Sequence, residues 1–229
     1  MNAPSRLLLK LSGTAFKNEN GPFSETKLHR FSQEIALLTQ TELAIVVGGG
    51  NIIRGSRSEL INRIEADTIG MLATVLNGLI LRAYLEQAGR KAILQSAIAT
   101  EFTEPISWRR ARSALSNGEV VIFVGGTGNP FVTTDTAAAI RGAMIAADLI
   151  AKGSDVDGVY TDDPASGKEV HLLRNITYDK FIRERYRVMD ITAVEICKEH
   201  DLPIVVFNLN APTALEMIAA GKPVGTIIQ

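Results

Sequence analysis

Short runs of unbroken apolar residues recur along this chain, separated by longer stretches with helical spacing. Leu7-Leu8-Leu9-Lys10-Leu11, Leu43-Ala44-Ile45-Val46-Val47, Lys91-Ala92-Ile93-Leu94, Val120-Val121-Ile122-Phe123-Val124, Leu149-Ile150-Ala151, Ile204-Val205-Val206-Phe207 and Gly225-Thr226-Ile227-Ile228 read as strands. Between them, Leu28, Phe31, Ile35 and Leu38 repeat at helical spacing from Ser24 to Thr39. A long helix is predicted from Glu65 to Ala88, an Ala-rich one over Ala137–Ala147 behind a cap at Thr134-Asp135, and another from Thr192 to Glu199. A strand that is apolar along its whole length has no face to give to water. The pattern therefore predicts an α/β fold: a mostly parallel sheet covered by helices on both faces. The irregular stretch from Asp155 to Asn175, with Gly158, Asp162-Asp163-Pro164 and Ser166-Gly167, is expected to be a hairpin and loop or the seam between two lobes.

At 229 residues the chain fits one continuous α/β domain, expected here with two functional halves. Its 24 Lys+Arg and 25 Asp+Glu nearly cancel, which argues against bulk electrostatic binding of nucleic acid or a membrane surface. No uncharged apolar run approaches the ~20 residues of a membrane span, and Met-Asn-Ala-Pro-Ser-Arg has no signal-peptide layout. The single cysteine, Cys197, fits a reducing compartment and reads as inert helix packing. A cytoplasmic protein is the expectation. His29, His171 and His200 are scattered, without Cys or His neighbours at ligand spacing, so no protein-built metal site is expected.

Two strands end in glycine clusters, Gly48-Gly49-Gly50 with Gly55, and Gly125-Gly126 with Gly128. Turns of this kind let backbone N–H groups approach an anion closely, and ligands of open α/β sheets bind at the carboxyl ends of strands. Two such turns suggest two phosphate-bearing ligands or one extended ligand; each alone is also explained as a tight strand-to-helix connection. No stretch matches the P-loop pattern, the dinucleotide fingerprint lacks its third glycine, and no protein-kinase catalytic loop is present.

Three cations stand near these turns. Lys10 interrupts an apolar strand, which is costly unless its ammonium reaches an anion or solvent; Arg54 follows the first glycine group; Lys152 closes a strand and reads more simply as snorkelling. Among the carboxylates, Asp135 is expected to cap a helix or serve the site. Asp148, inside an apolar run, is expected to be buried against a phosphate-binding lysine. Asp67 either complements a helix dipole or binds a ribose hydroxyl. No Ser/His/Asp set is visible. Phosphoryl transfer by positioning and charge stabilisation fits this inventory better than covalent catalysis.

Lys10-Leu11-Ser12-Gly13, Val47-Gly48-Gly49-Gly50-Asn51-Ile52-Ile53-Arg54-Gly55, Ala66-Asp67-Thr68-Ile69-Gly70-Met71-Leu72-Ala73-Thr74, Gly126 to Asp135 and Asp155 to Pro164 together resemble the bacterial UMP kinase family, within the amino-acid-kinase superfamily. Val188-Met189-Asp190 and Val206-Phe207-Asn208-Leu209-Asn210 extend the resemblance, which runs in order over nearly the whole chain. It implies a three-layer αβα sandwich, ATP and UMP as substrates, Mg²⁺ accompanying ATP, and a homohexamer. It further implies a UMP-binding half over residues 1–150 and an ATP-binding half over 151–229. The implied ATP residues are Lys10, Leu11, Ser12, Gly13, Gly50, Arg54, Ser154, Tyr160 and Asp163. The implied UMP residues are Gly49, Asp67 and the loop Thr127-Gly128-Asn129-Pro130-Phe131-Val132-Thr133-Thr134. Lys10, Arg54, Asp135 and Asp148 are the implied catalytic set. The chain departs from the family's pattern in a shorter stretch over Ser58–Arg63, in residues 83–93 where the family's GTP response implies basic residues, and in Ser154 where Thr is common. Phosphorylation of a carboxylate or carbamate, and a nucleotide-binding assembly without turnover, are the alternatives.

Overall fold

The computed structural model describes residues 2–19, 21–53, 61–162 and 169–229. Its elements in chain order are β1 (Arg6–Leu11), α1 (Glu25–Ala36), β2 (Glu42–Val47), α2 (Arg63–Gln87), β3 (Ala92–Ser96), β4 (Glu104–Pro105) and α3 (Trp108–Ser116). They continue with β5 (Val120–Val124), α4 (Thr134–Ile145), β6 (Leu149–Ser154), β7 (Val159–Tyr160), β8 (Leu172–Leu173) and β9 (Asn175–Ile176). The last elements are α5 (Tyr178–Glu184), α6 (Ile191–Glu199), β10 (Ile204–Asn208), α7 (Ala214–Ala219) and β11 (Thr226–Ile228).

The main sheet runs β4-β3-β5-β2-β1-β6-β10-β11-β9. Each pairing in it is parallel except β10 with β11. One face buries Leu7, Leu9 and Leu11 of β1 under α1, α2 and α7, through Phe31, Leu81 and Leu215 among others. The other face buries Leu8 under α3, α4, α5 and α6, through Leu115, Ala138, Phe181 and Cys197. This is the expected three-layer αβα sandwich, and the continuous apolar runs are its central strands.

Local chemistry explains most boundaries. Ser24, Asn62, Ser107, Thr177 and Asp190 each accept a hydrogen bond from a backbone N–H of the helix that follows, filling the N-cap role. The expected cap at Thr134-Asp135 moves by one residue: Thr133 is the N-cap of α4, its hydroxyl accepting from Asp135 N–H at 3.0 Å, which frees the Asp135 carboxylate for other partners. β6 also runs past its apolar run, taking in Lys152, Gly153 and Ser154. Within the irregular stretch, β7 and β8 form an antiparallel hairpin, so that expectation resolves to the hairpin.

Among the described helices α2 alone has the length and hydropathy of a membrane span, yet it lies on the sheet through Val75, Leu81 and Leu85. Its outer face leaves Ile64, Ile69, Leu72 and Leu76 exposed.

The hairpin is fastened to the sheet by one hydroxyl. Thr226, fully buried, accepts from Val159 N–H at 2.8 Å and donates to Leu173 O at 2.5 Å. Thr226→Val keeps the shape and leaves a buried N–H unpaired, so it is expected to lower the unfolding free energy by about 1–3 kcal/mol in urea titrations.

Candidate active site

Period-2 alternation decides which side chains meet at the carboxyl end of the sheet. In β1, Leu7, Leu9 and Leu11 face α1 and α2, so Leu8 and Lys10 face α4. β6 pairs in register with β1, Lys10 opposite Lys152, and so Lys152 emerges on the same side. Both lysines are only 7% exposed. The first turn of α4 supplies the counter-charge. Asp135 Oδ1 stands 2.8 Å from Lys10 Nζ, and its Oδ2 accepts a hydrogen bond from Lys152 Nζ.

Two cations share the Asp135 carboxylate here, at the strand ends and beside the N-terminus of α4, with Asp190 also acting on Lys152. Burial alone would raise the Asp135 carboxyl, but the ammonium groups of Lys10 and Lys152 outweigh it and hold it at about 2. Burial and then the charge of Lys10 push Lys152 down to about 8 against the pull of Asp135. Asp190, the cap of α6, braces the loop before α4 by accepting from Thr133 Oγ1 and, at 2.9 Å, from Thr136 Oγ1.

Both glycine turns lie at this end of the sheet. In the first, Gly48 N–H donates to Leu11 O at 2.8 Å, and a Cβ on Gly13 would come within 2.4 Å of Gly50 N. The two chain segments therefore touch, and only glycine fits. In the second, Gly125, Gly126 and Gly128 all have positive φ. The loop that follows is fixed from α2. Asp67 Oδ2 accepts from Phe131 N–H at 2.8 Å and from Arg63 Nε at 2.7 Å, and the Arg63 guanidinium lies 5.8 Å over the Phe131 ring. Asn129 turns back on Thr127, its Nδ2 donating to the carbonyl at 3.4 Å.

Beside the lysines opens a cleft of about 1040 Å³, lined by Lys10, Ser12, Lys152, Gly153, Ser154, Tyr160, Arg185 and Arg187 among others. The hydroxyl of Tyr160 donates to Asp157 at 3.3 Å, and Asn208 Nδ2 donates to the other oxygen of the same carboxylate at 2.9 Å.

The structure thus gathers Lys10, Ser12, Gly13, Gly49, Gly50, Asp135, Ser154 and Tyr160 at one end of the sheet, with Asp67 holding the Thr127–Thr134 loop beside them. Leu11 is there by its backbone alone, since its side chain is in the core. Arg54 and Asp163 lie outside the described residues. Asp148 is a correction. It is exposed, stands just before β6 and accepts from Arg6 N–H at 2.8 Å, at the opposite end of the strand from Lys152. Its apolar neighbours are buried because they belong to the strand, while Asp148 itself precedes it. Lys152 is a second correction, since it is buried and ion-paired where snorkelling was the simpler reading. Asp190, Arg185 and Arg187 are additions for which single-sequence reading offers only weak signals: one capping aspartate, and two arginines in a polar loop.

A model of the amino acid kinase family matches residues 5–208. The uridylate kinase of Aeromonas hydrophila is 44% identical over 229 residues, covering 97% of this chain and 94% of that protein. That of Idiomarina loihiensis is 45% identical over 230 residues, with the same coverage of 97% and 94%. Among solved structures, the UMP kinase of Bacillus anthracis superposes with a TM-score of 0.95 at 36% identity, covering 100% of this chain and 97% of that one. The uridylate kinase of Archaeoglobus fulgidus gives 0.76 at 26% identity, covering 97% and 99%.

The buried lysine pair has a pH signature. Lys152 releases its proton near 8 in the folded chain, against the ordinary 10.5 of an unfolded lysine. Between those values the unfolded state binds more protons, so stability rises with pH. Relative to Lys152→Met, the parent is expected to gain on the order of 2 kcal/mol between pH of about 8 and about 10, read by urea unfolding at each pH.

Proposed function

The chain belongs to the amino acid kinase family, and within it we propose a uridylate kinase: reversible transfer of the γ-phosphoryl group of ATP to UMP, giving ADP and UDP for pyrimidine nucleotide synthesis. The observation that carries this reading is the pairing of two buried lysines on one aspartate between two glycine turns. Relatives named uridylate kinase, 44% and 45% identical over 97% of this chain, support it.

Phosphoryl transfer needs little covalent help from the protein. Charge spreads over the oxygens of the moving group, and catalysis is positioning plus charge stabilisation. In this reading the Lys10 and Lys152 ammonium groups face those oxygens, and Asp135 holds the two ammoniums apart and charged. Ser12, Gly13 and Gly50, with Arg54, receive the ATP phosphates. Ser154 and Tyr160 line the cleft for its nucleoside, together with Asp163. Gly49 meets the UMP phosphate, Asp67 its ribose, and Thr127 to Thr134 fold over the rest. The UMP-serving half then covers residues 1–150 and the ATP-serving half 151–229.

The residues around Asp135 do not suit a resident metal cage. Among the described residues no three His, Cys, Asp or Glu side chains converge, and both Asp135 oxygens face lysines. Mg²⁺ belongs with the ATP, held by phosphate oxygens. The apolar outer face of α2 (Ile64, Ile69, Leu72 and Leu76) supports assembly of identical copies, with the homohexamer as the proposed form. A cytoplasmic location goes with the substrates.

The test is ADP release from ATP and Mg²⁺ with UMP, CMP, dUMP, AMP, acetylglutamate or carbamate as acceptor, each with and without GTP. Selective turnover of UMP is expected; turnover of acetylglutamate or carbamate instead would overturn the reading. In the same assay Lys10→Ala is expected to lower kcat by about 10²-fold or more while UMP KM moves little, because Lys10 acts on charge that develops in the transition state.

A further inference from the structure

Helix α2 touches both glycine turns from beneath, through two side chains one helical turn apart. Thr74 Oγ1 accepts from Gly125 N–H at 2.7 Å and donates a hydrogen bond to Met71 O at 2.7 Å. Asn77 Nδ2 donates to Gly48 O at 2.6 Å and to Asn51 Oδ1 at 2.7 Å, and Asn51 Nδ2 returns a bond to Asn77 Oδ1 at 3.0 Å. Thr74 is 2% exposed and Asn77 fully buried. Neither residue favours a helix interior. Burying them is tolerable only because their polar atoms are bonded, and two of those bonds, one from each residue, go to the main chain of the turns.

The helix is also let in unusually close at these points. A Cβ on Gly49 would lie 2.6 Å from Gly70 O, and one on Gly78 would lie 2.4 Å from Val124 Cγ1, next to the second turn. Gly49 therefore rests directly on α2 backbone, and α2 in turn rests on the end of β5. One rigid element thereby sets where the backbone of each turn lies.

We propose that Thr74 and Asn77 are positioning residues that fix the separation of the two turns, and with it the alignment of the donor and acceptor phosphates. This rests on the reading of the chain as a uridylate kinase. In that reading the first turn meets both nucleotides and the loop after the second closes on UMP. Each nucleotide would still bind if a tether were lost, but UMP would no longer be held in line with the ATP phosphates. Because a misplacement of about 1 Å costs about 10²-fold in rate, the loss should fall on kcat and not on binding.

The test compares Thr74→Val, which keeps the shape and removes the acceptor for Gly125 N–H, with Thr74→Ser, which keeps the hydroxyl. For Thr74→Val, kcat with ATP and UMP is expected to fall about 10- to 100-fold, with dissociation constants for UMP and a non-hydrolysable ATP analogue, measured separately, within about threefold of the parent. Thr74→Ser is expected to keep kcat within about threefold. Asn77→Ser, too short to reach Gly48 O, should repeat the Thr74→Val split. The double variant should lose little more than the worse single one, since both tethers serve one alignment. A Thr74→Val kcat near the parent value overturns the proposal. So does loss of nucleotide binding in step with kcat, which would mark general damage to the turns. A parent chain that does not turn over UMP, measured alongside, overturns the underlying reading and the positioning role with it.

Discussion

The carboxylate of Asp135, held between the ammonium groups of Lys10 and Lys152, is the contact on which the arrangement of this site depends. Two lysines in neighbouring strands would repel each other and each would lose hydration on burial, and both effects push the Lys152 pKa down. One aspartate makes the pair tolerable without neutralising it. The register of β1 with β6 puts the lysines side by side, and the cap at Thr133 starts α4 where its first turn can reach them. A shift of one residue in either strand would turn its lysine into the opposite helical layer. The fold's alternation is therefore also the site's electrostatics.

Around that centre the groups presented at the strand ends are mostly backbone. The first glycine turn lies against Gly13, and the second adopts positive φ at three glycines, so N–H groups can approach a ligand with no side chain between. Backbone donors carry no charge and need outside bracing, which explains why polar side chains were drawn into the core beneath them. Asp67 on Phe131 N–H, Thr74 on Gly125 N–H and Asn77 on Gly48 O all come from α2. That helix has two duties on two faces: toward the sheet it holds turns, and outward it shows an apolar strip.

Legibility in the sequence followed burial. The central strands are apolar on both faces, so they could be read directly, and the αβα layering came with them. The short helices α3, α5 and α7 were not, because nine, seven and six residues span too few turns to establish a period and owe their helicity to packing. Lys10 stood out because leucines surround it, whereas Lys152 follows only three apolar residues and looked like a strand end although β6 continues to Ser154. Asp148 shows the converse error: apolar neighbours indicate a strand but not which of its ends a flanking residue occupies. Thr74 and Asn77 had no signal at all, since what distinguishes them is the turn each one meets across the fold.

The sheet order explains why chemistry gathers here and nowhere else along the strands. β1 lies at the centre, with β2, β5 and β3 stacked to one side and β6 and β10 to the other. The helices after β1 and β2 cover one face, while those after β5 and β6 belong to the other, so the connections diverge above the β1–β6 seam and leave a crevice. The glycine turns come from the first side, and the cleft with Ser154 and Tyr160 from the second. Neither side holds a complete set of groups for transfer: the first lacks the cleft, and the second lacks Lys10 and the turns. At the seam Lys10 of β1 stands opposite Lys152 of β6, and there the glycine turns and the cleft meet. In the proposed transfer the phosphoryl group moves across that line.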